Sequence, residues 1–149
     1  MAHVANRWNE ILEQDYRYPH DLQQFQAECL DAGQQRELTE LTHLQREDYL
    51  GLQQDADGDH VFPLQVVGLM NSAGQEFTGG EFVLTEQRPR MQSRPIVVPL
   101  QRGDLAIITT SQRPFKGSKG YYRVNMKHAI SRVRTGERLG FSMSFHFSS

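Results

Sequence analysis

A mainly β fold with helical support at its N-terminus is what the sequence predicts, and three observations carry it. Short runs rich in β-branched and aromatic residues begin at Val61 and are punctuated by Gly, Pro, Ser and Asn. No helical crossover pattern separates these runs, which argues for a sandwich, barrel or jelly roll rather than α/β units. Before residue 35 the apolar spacing is helical instead.

Taken in order, Val4, Trp8, Ile11 and Leu12 form one helical stripe. Tyr16 to His20, with Pro19, reads as a connection. A second helix follows Asp21, whose carboxylate can cap it, with Gln24 at the capping-box position. Leu22, Phe25, Cys29 and Leu30 are its apolar face, and Gly33 is a natural stop. Residues 35–48 are ambiguous: Leu38, Leu41 and Leu44 recur every third residue, which favours a short helix, against weak strand support from Thr39 and Thr42. Strands are expected at Val61–Met70, Glu81–Thr85, Ile96–Leu100, Leu105–Thr110, Tyr121–Ile130 and Leu139–Phe147. Gly79-Gly80 reads as a tight turn into the second of them. The 149 residues suffice for one domain, 1–34 as helical support and 35–149 as the β core.

Composition excludes several classes. One cysteine, Cys29, cannot form an internal disulfide framework and suits a reducing compartment. Nothing near the roughly 20 apolar residues of a membrane span is present, and Met1–Leu12 lacks a leader's apolar run, so a soluble cytoplasmic protein is expected. Residues 1–60 hold 13 Asp or Glu against 4 Arg, while residues 61–149 hold 5 against 12 Lys or Arg. That asymmetry fits a cationic surface for an anionic partner equally well as two halves whose fields cancel. The cluster Arg113, Lys116, Lys119, Tyr121, Tyr122 and Arg123 joins cations to aromatic faces; it could grip single-stranded nucleic acid, though solvated surface is the commoner role. There is no Cys-x-x-Cys, His-Glu-x-x-His, phosphate-binding glycine loop or Gly-x-Ser-x-Gly elbow.

Four segments then line up: Tyr49–Asp55 with His60–Val67; Phe77–Phe82 running on through Glu86–Arg94; Pro99–Ile108; and Met126–Val133 with Gly136-Glu137-Arg138. In this order they resemble the prokaryotic Fe(II)/2-oxoglutarate-dependent dioxygenases, most of all a bacterial group linked to oxidative demethylation of damaged nucleic-acid bases. The likeness extends back to Val4–Leu12. It implies a double-stranded β-helix (jelly roll) with the N-terminal helices packed on one face. It also implies Fe(II) and 2-oxoglutarate, with a C–H bond oxidised, on an alkylated base for example, as the co-substrate decarboxylates. In such proteins two histidines and one carboxylate hold the metal on one face.

Carried across by the resemblance, Asp55 is the carboxylate ligand and His128 the later histidine. Arg138, ten residues on, is the clamp for the distal carboxylate of 2-oxoglutarate, a task suited to a planar guanidinium. Singly, each has an ordinary reading: a solvated loop acid, a strand histidine, a turn arginine. The family's first histidine is missing, and Gln53 stands in its place, offering only a neutral amide. Just upstream, Leu44–Asp48 replaces a tyrosine and glycine-rich turn. His60 is the nearest stand-in ligand, with packing as its default; His3, His20 and His43 have no ligand spacing, and His146 reads as a core or rim residue. The expectations are therefore an oxygenase, an impaired relative serving as a binding module, or a cupin-like binder without redox chemistry. Oligomeric state is not readable.

Overall fold

The computed structural model describes residues 1–149. Two helices, α1 (Ala2–Ile11) and α2 (Leu22–Asp31), precede eleven strands. These are β1 (Glu40–Leu44), β2 (Leu50–Gln53), β3 (Leu64–Leu69), β4 (Phe77–Gly79), β5 (Phe82–Gln87) and β6 (Arg94–Val98). They continue as β7 (Leu105–Thr109), β8 (Gln112–Gly117), β9 (Gly120–Ile130), β10 (Val133–Gly136) and β11 (Arg138–Met143). One sheet runs β1-β11-β3-β7 and the other β2-β9-β5-β6, with β8 hairpinned onto β9 and a small β10-β4 ladder at one end. The main-sheet pairings are antiparallel, and the chain passes repeatedly between the sheets. This is a mainly β, double-stranded β-helix. No helix is long and apolar enough to cross a membrane.

The core follows from strand alternation. Val67 and Leu69 turn inward to meet Leu44, Phe82, Ile108 and Ile130 between the sheets. Leu64, of opposite parity, turns outward to a second cluster with Ala5, Phe25, Cys29 and Phe62, with Trp8 and Phe145 packed against it. The helices thus cover one end of the β1-β11-β3-β7 sheet from outside, on one face as expected. Asp21 does cap α2, accepting from the backbone N–H groups of Gln23 and Gln24. Gly33 ends it with φ +83°. The stripe on α1 is centred differently from the expectation: Ala5 is fully buried and Val4 exposed. On α2, Leu22 and Leu30 are likewise exposed, leaving Phe25 and Cys29 as the buried face.

The expected helix over 35–48 is a correction. Residues Glu40–Leu44 form a strand in register with Ser142–Arg138 of β11. Leu44 enters the core while Leu41 stays 79% exposed, so the three-residue leucine spacing does not mark one buried face. Pairing to a distant strand outweighed local preference. The expected strand Leu139–Phe147 stops at Met143, and the basic segment around Arg113–Arg123 is a β-hairpin whose first strand, β8, was not among the expected ones.

Candidate functional site

β2 and β9 bring the sequence-predicted residues together. Gln53 and His128 are register partners, with an irregularity between Leu50 and Gln53. Gln54, pointing the other way, ties β2 to β9 by donating to Asn125 Oδ1 (2.9 Å) and to the Met126 carbonyl (2.7 Å). Because side chains alternate, this anchor leaves Gln53 and Asp55 on the side of His128. Gln53 Nε2 lies 3.4 Å from His128 Nε2, and Asp55 Oδ2 lies 3.6 Å from that same nitrogen. Phe82 stacks on the His128 ring, 10° from parallel. The imidazole is buried, its Nδ1 has no partner, and burial pulls its pKa down against the opposing pull of Asp55.

The Asp55 segment is held from behind. His146, buried, donates from Nε2 to the Asp55 carbonyl (2.7 Å) and accepts at Nδ1 from the Phe62 N–H (3.2 Å). These bonds require the neutral tautomer with its proton on Nε2. Gln34, also buried, accepts from the His60 N–H (2.8 Å) and donates to the His60 carbonyl (2.9 Å). Gly58 touches the Gln34 amide so closely that a Cβ there would collide with it. The sequence placed His146 as a core or rim residue, and it is buried; what it and Gln34 hold was missed, because lone buried polar residues carry no motif. His60 itself turns its ring to Tyr16, 5.4 Å between centroids.

Arg138 begins β11, beside Leu44 in register. It is 3% exposed, and its Nε donates to the Gly80 carbonyl at 2.8 Å. Two glycines make room for it. A Cβ on Gly80 would sit 3.0 Å from Arg138 Cδ, and one on Gly140 would sit 2.7 Å from Nη1. None of the chain's seven ion pairs includes Arg138, and burial lowers its pKa. A narrow cavity of about 20 Å³, room for about one water, is lined by Arg138, Gln53, His128, Thr42, Ser142 and Glu40 among others. A guanidinium buried without an acid beside it is costly to the fold.

The donor set does not fit iron(II) as it stands. One imidazole and one carboxylate converge, the third position is a neutral amide, and no three His, Cys, Asp or Glu side chains come together anywhere in the chain.

Part of the basic hairpin is already engaged. Glu86 binds Arg88 and Arg113, each at 3.1 Å, and both guanidinium groups lie over Phe115. Burial pushes the Glu86 carboxyl upward, but the two arginines hold it below its usual range. Arg123 reaches the Leu12 carbonyl (3.4 Å), whereas Lys116, Lys119 and Tyr121 remain exposed.

Burial of His128 and His146 makes stability pH-dependent. Both have folded pKa values below the unfolded value of about 6.5. Below that pH the unfolded chain binds more protons, so their contribution is complete above it and lost as pH falls. The melting temperature should drop between about pH 7.5 and 5.5, and His146→Gln should flatten the drop. A pH-independent melting temperature would contradict this.

The architecture has solved counterparts. A crystal structure of an oxidoreductase of the 2OG-Fe(II) oxygenase family from Burkholderia pseudomallei superposes with a TM-score of 0.52 at 20% identity, over 74% of this chain and 43% of that one. The fold is thus the one that such oxygenases use. Residues 1–148 match the sequence profile of a family described as an oxygenase catalysing oxidative methylation of damaged DNA, and the chain belongs to that family. Uncharacterized proteins from two strains of Mycobacterium tuberculosis, CDC 1551 / Oshkosh and H37Rv, are each 37% identical over 143 residues. The match takes in 96% of this chain but only 61% of theirs.

Proposed function

We propose that this chain is an oxygenase-family member that keeps the carboxylate-binding end of the site and has lost efficient turnover, acting as a small-molecule binding module. The observation that carries the reading is Gln53, whose amide faces His128 Nε2 at 3.4 Å where the resemblance calls for imidazole. In this reading Asp55 and His128 are what remains of the metal site, and Arg138 takes the distal carboxylate of 2-oxoglutarate or a similar acid. Residues 1–149 act as one domain, with the helices as its support. The setting is cytoplasmic, in keeping with a single buried thiol.

The second reading is retained oxygenase activity: oxidation of a C–H bond, on an alkylated base for example, as 2-oxoglutarate decarboxylates to succinate. The family description favours it, as do the free cations Lys116 and Lys119 at the hairpin, which suit a nucleic-acid strand. Anaerobic iron(II) titration followed by succinate detection separates the two. Weak iron binding and no succinate above background are expected. Tight iron binding with steady 2-oxoglutarate consumption would overturn the first reading.

A further inference from the structure

We propose that the outer face of the β1-β11-β3-β7 sheet is a self-association surface, on which a second copy of this chain packs with its β7 over β1 and its β1 over β7. The surface lies on the opposite side of the sheet from Arg138, which turns inward beside the core residue Leu44.

An antiparallel sheet with one wet face alternates apolar and polar residues. This one is apolar on both faces. Its register puts Leu41, Phe141, Gly68 and Leu105 in one outward row across all four strands, with Met143, Val66 and Ile107 in a second. Met70 and Leu139 continue the face, joined by a backbone bond of 2.8 Å. The one titratable side chain among these outward positions is His43, already paired with Glu137 at the edge. The outer face of the other sheet is what water selects, with Thr85, Gln87, Arg123, Asn125 and Lys127. Helices α1 and α2 cover the first sheet only around Leu64, and the apolar face runs on beyond them.

Size and shape both fit a second copy. Leu41, Leu105, Ile107, Met70, Met143 and Leu139 are between 39% and 79% exposed. Together they present on the order of 600 Å² of apolar surface, the top of the range for the largest patch on a monomer. With the half-buried Phe141 and Val66 and the rim, the face approaches the roughly 800 Å² per partner that a stable dimer buries. Gly68 keeps it flat: a Cβ there would collide with the Phe141 ring, which lies down against the sheet. Flat sheets pack face to face about 10 Å apart. The face also complements itself. Leu105 and Ile107 make a ridge at one edge, and at the other Leu41, His43, Leu139 and Met70 line a hollow of about 300 Å³. A two-fold axis parallel to the strands, between β11 and β3, lays the ridge of each copy over the hollow of the other. With no unpaired charge inside the patch, the face does not repel its own image.

The test is sedimentation equilibrium from micromolar to sub-millimolar protein, which should show monomer and dimer and nothing larger. Ile107→Lys and Leu41→Glu, at opposite edges and too exposed to carry the fold, should each weaken the dimer at least about ten-fold, the scale of losing one central contact. Their circular dichroism should match the parent's. Lys127→Glu, outward on the other sheet, should leave the dimer as it is. A short bismaleimide should join Leu41→Cys to Leu105→Cys when the two proteins are mixed, and neither variant to itself; Cys29 is buried and stays out of the reaction. A parent that remains monomeric throughout overturns the proposal and leaves the face to a different partner. Dimers that persist in both charged variants, association that runs past the dimer, or Leu41→Cys linking to itself would each overturn it too.

Discussion

Replacing Gln53 with histidine should raise iron(II) affinity by at least about 10–100-fold, because changing even groups that merely touch metal ligands costs that much. The side chain is already placed for it. Gln53 is the register partner of His128, and Gln54 pins the backbone of β2 to β9. An imidazole at that position would face the same space as Asp55 and His128 and complete two histidines and a carboxylate. Iron(II) titration and 2-oxoglutarate-dependent succinate release, measured in parallel on parent and variant, check it. If the variant gains metal affinity and turnover, a single side chain separates this chain from an intact oxygenase. If it gains neither, the loss reaches further, to the Leu44–Asp48 approach. A parent that already turns over as fast as the variant would remove the basis of the impaired-enzyme reading.

Arg138→Met should weaken carboxylate binding by about 1.5–3 kcal/mol, the scale of a hydrogen bond to a charged group, without lowering the melting temperature. The two halves of the expectation have one cause. The guanidinium is buried with only the Gly80 carbonyl bonded to Nε and no acid beside it. Such a charge is a burden on the unliganded fold, and a hydrophobic side chain of similar volume relieves it. Thermal melts with and without succinate or 2-oxoglutarate separate the effects: the variant should lose the ligand-induced rise while matching or exceeding the parent in buffer. Unchanged ligand affinity would show that the carboxylate binds elsewhere. A large fall in the unliganded melting temperature would mean that the Gly80 bond outweighs the cost of burying the charge.

The sequence was legible where local pattern and tertiary role coincide. The β-rich runs from Val61 onward became β3, β5, β6, β7, β9 and β11, with ends shifted by a few residues. Asp21 and Gly33 bound α2 for reasons visible in the residues themselves. The convergence of Gln53, Asp55 and His128 was legible only through the ordered family segments, since each residue alone has an ordinary reading. What stayed hidden depends on distant partners. Strand β1 exists because β11 pairs with it, and its leucines suggested a helix. The strand β8 hid in a stretch whose cations and turn residues resemble a loop. Gln34 and His146 are single polar residues without spacing to anything, and only the folded chain reveals what they hold.

Those two supports also set the order in which the protein can assemble. Gln34 comes from the end of the helical segment, and it donates to the carbonyl of Phe147 as well as to that of His60. His146 reaches back 91 positions to the Asp55 carbonyl, and Arg36 bridges to Ser148. During synthesis the Asp55 loop therefore leaves the ribosome long before the residues that fix it. Closing contacts of such sequence separation is slow, because the entropy of the intervening chain is lost before the contact forms. The contacts that fix the Asp55 loop can therefore form only after the chain has been made through Ser148.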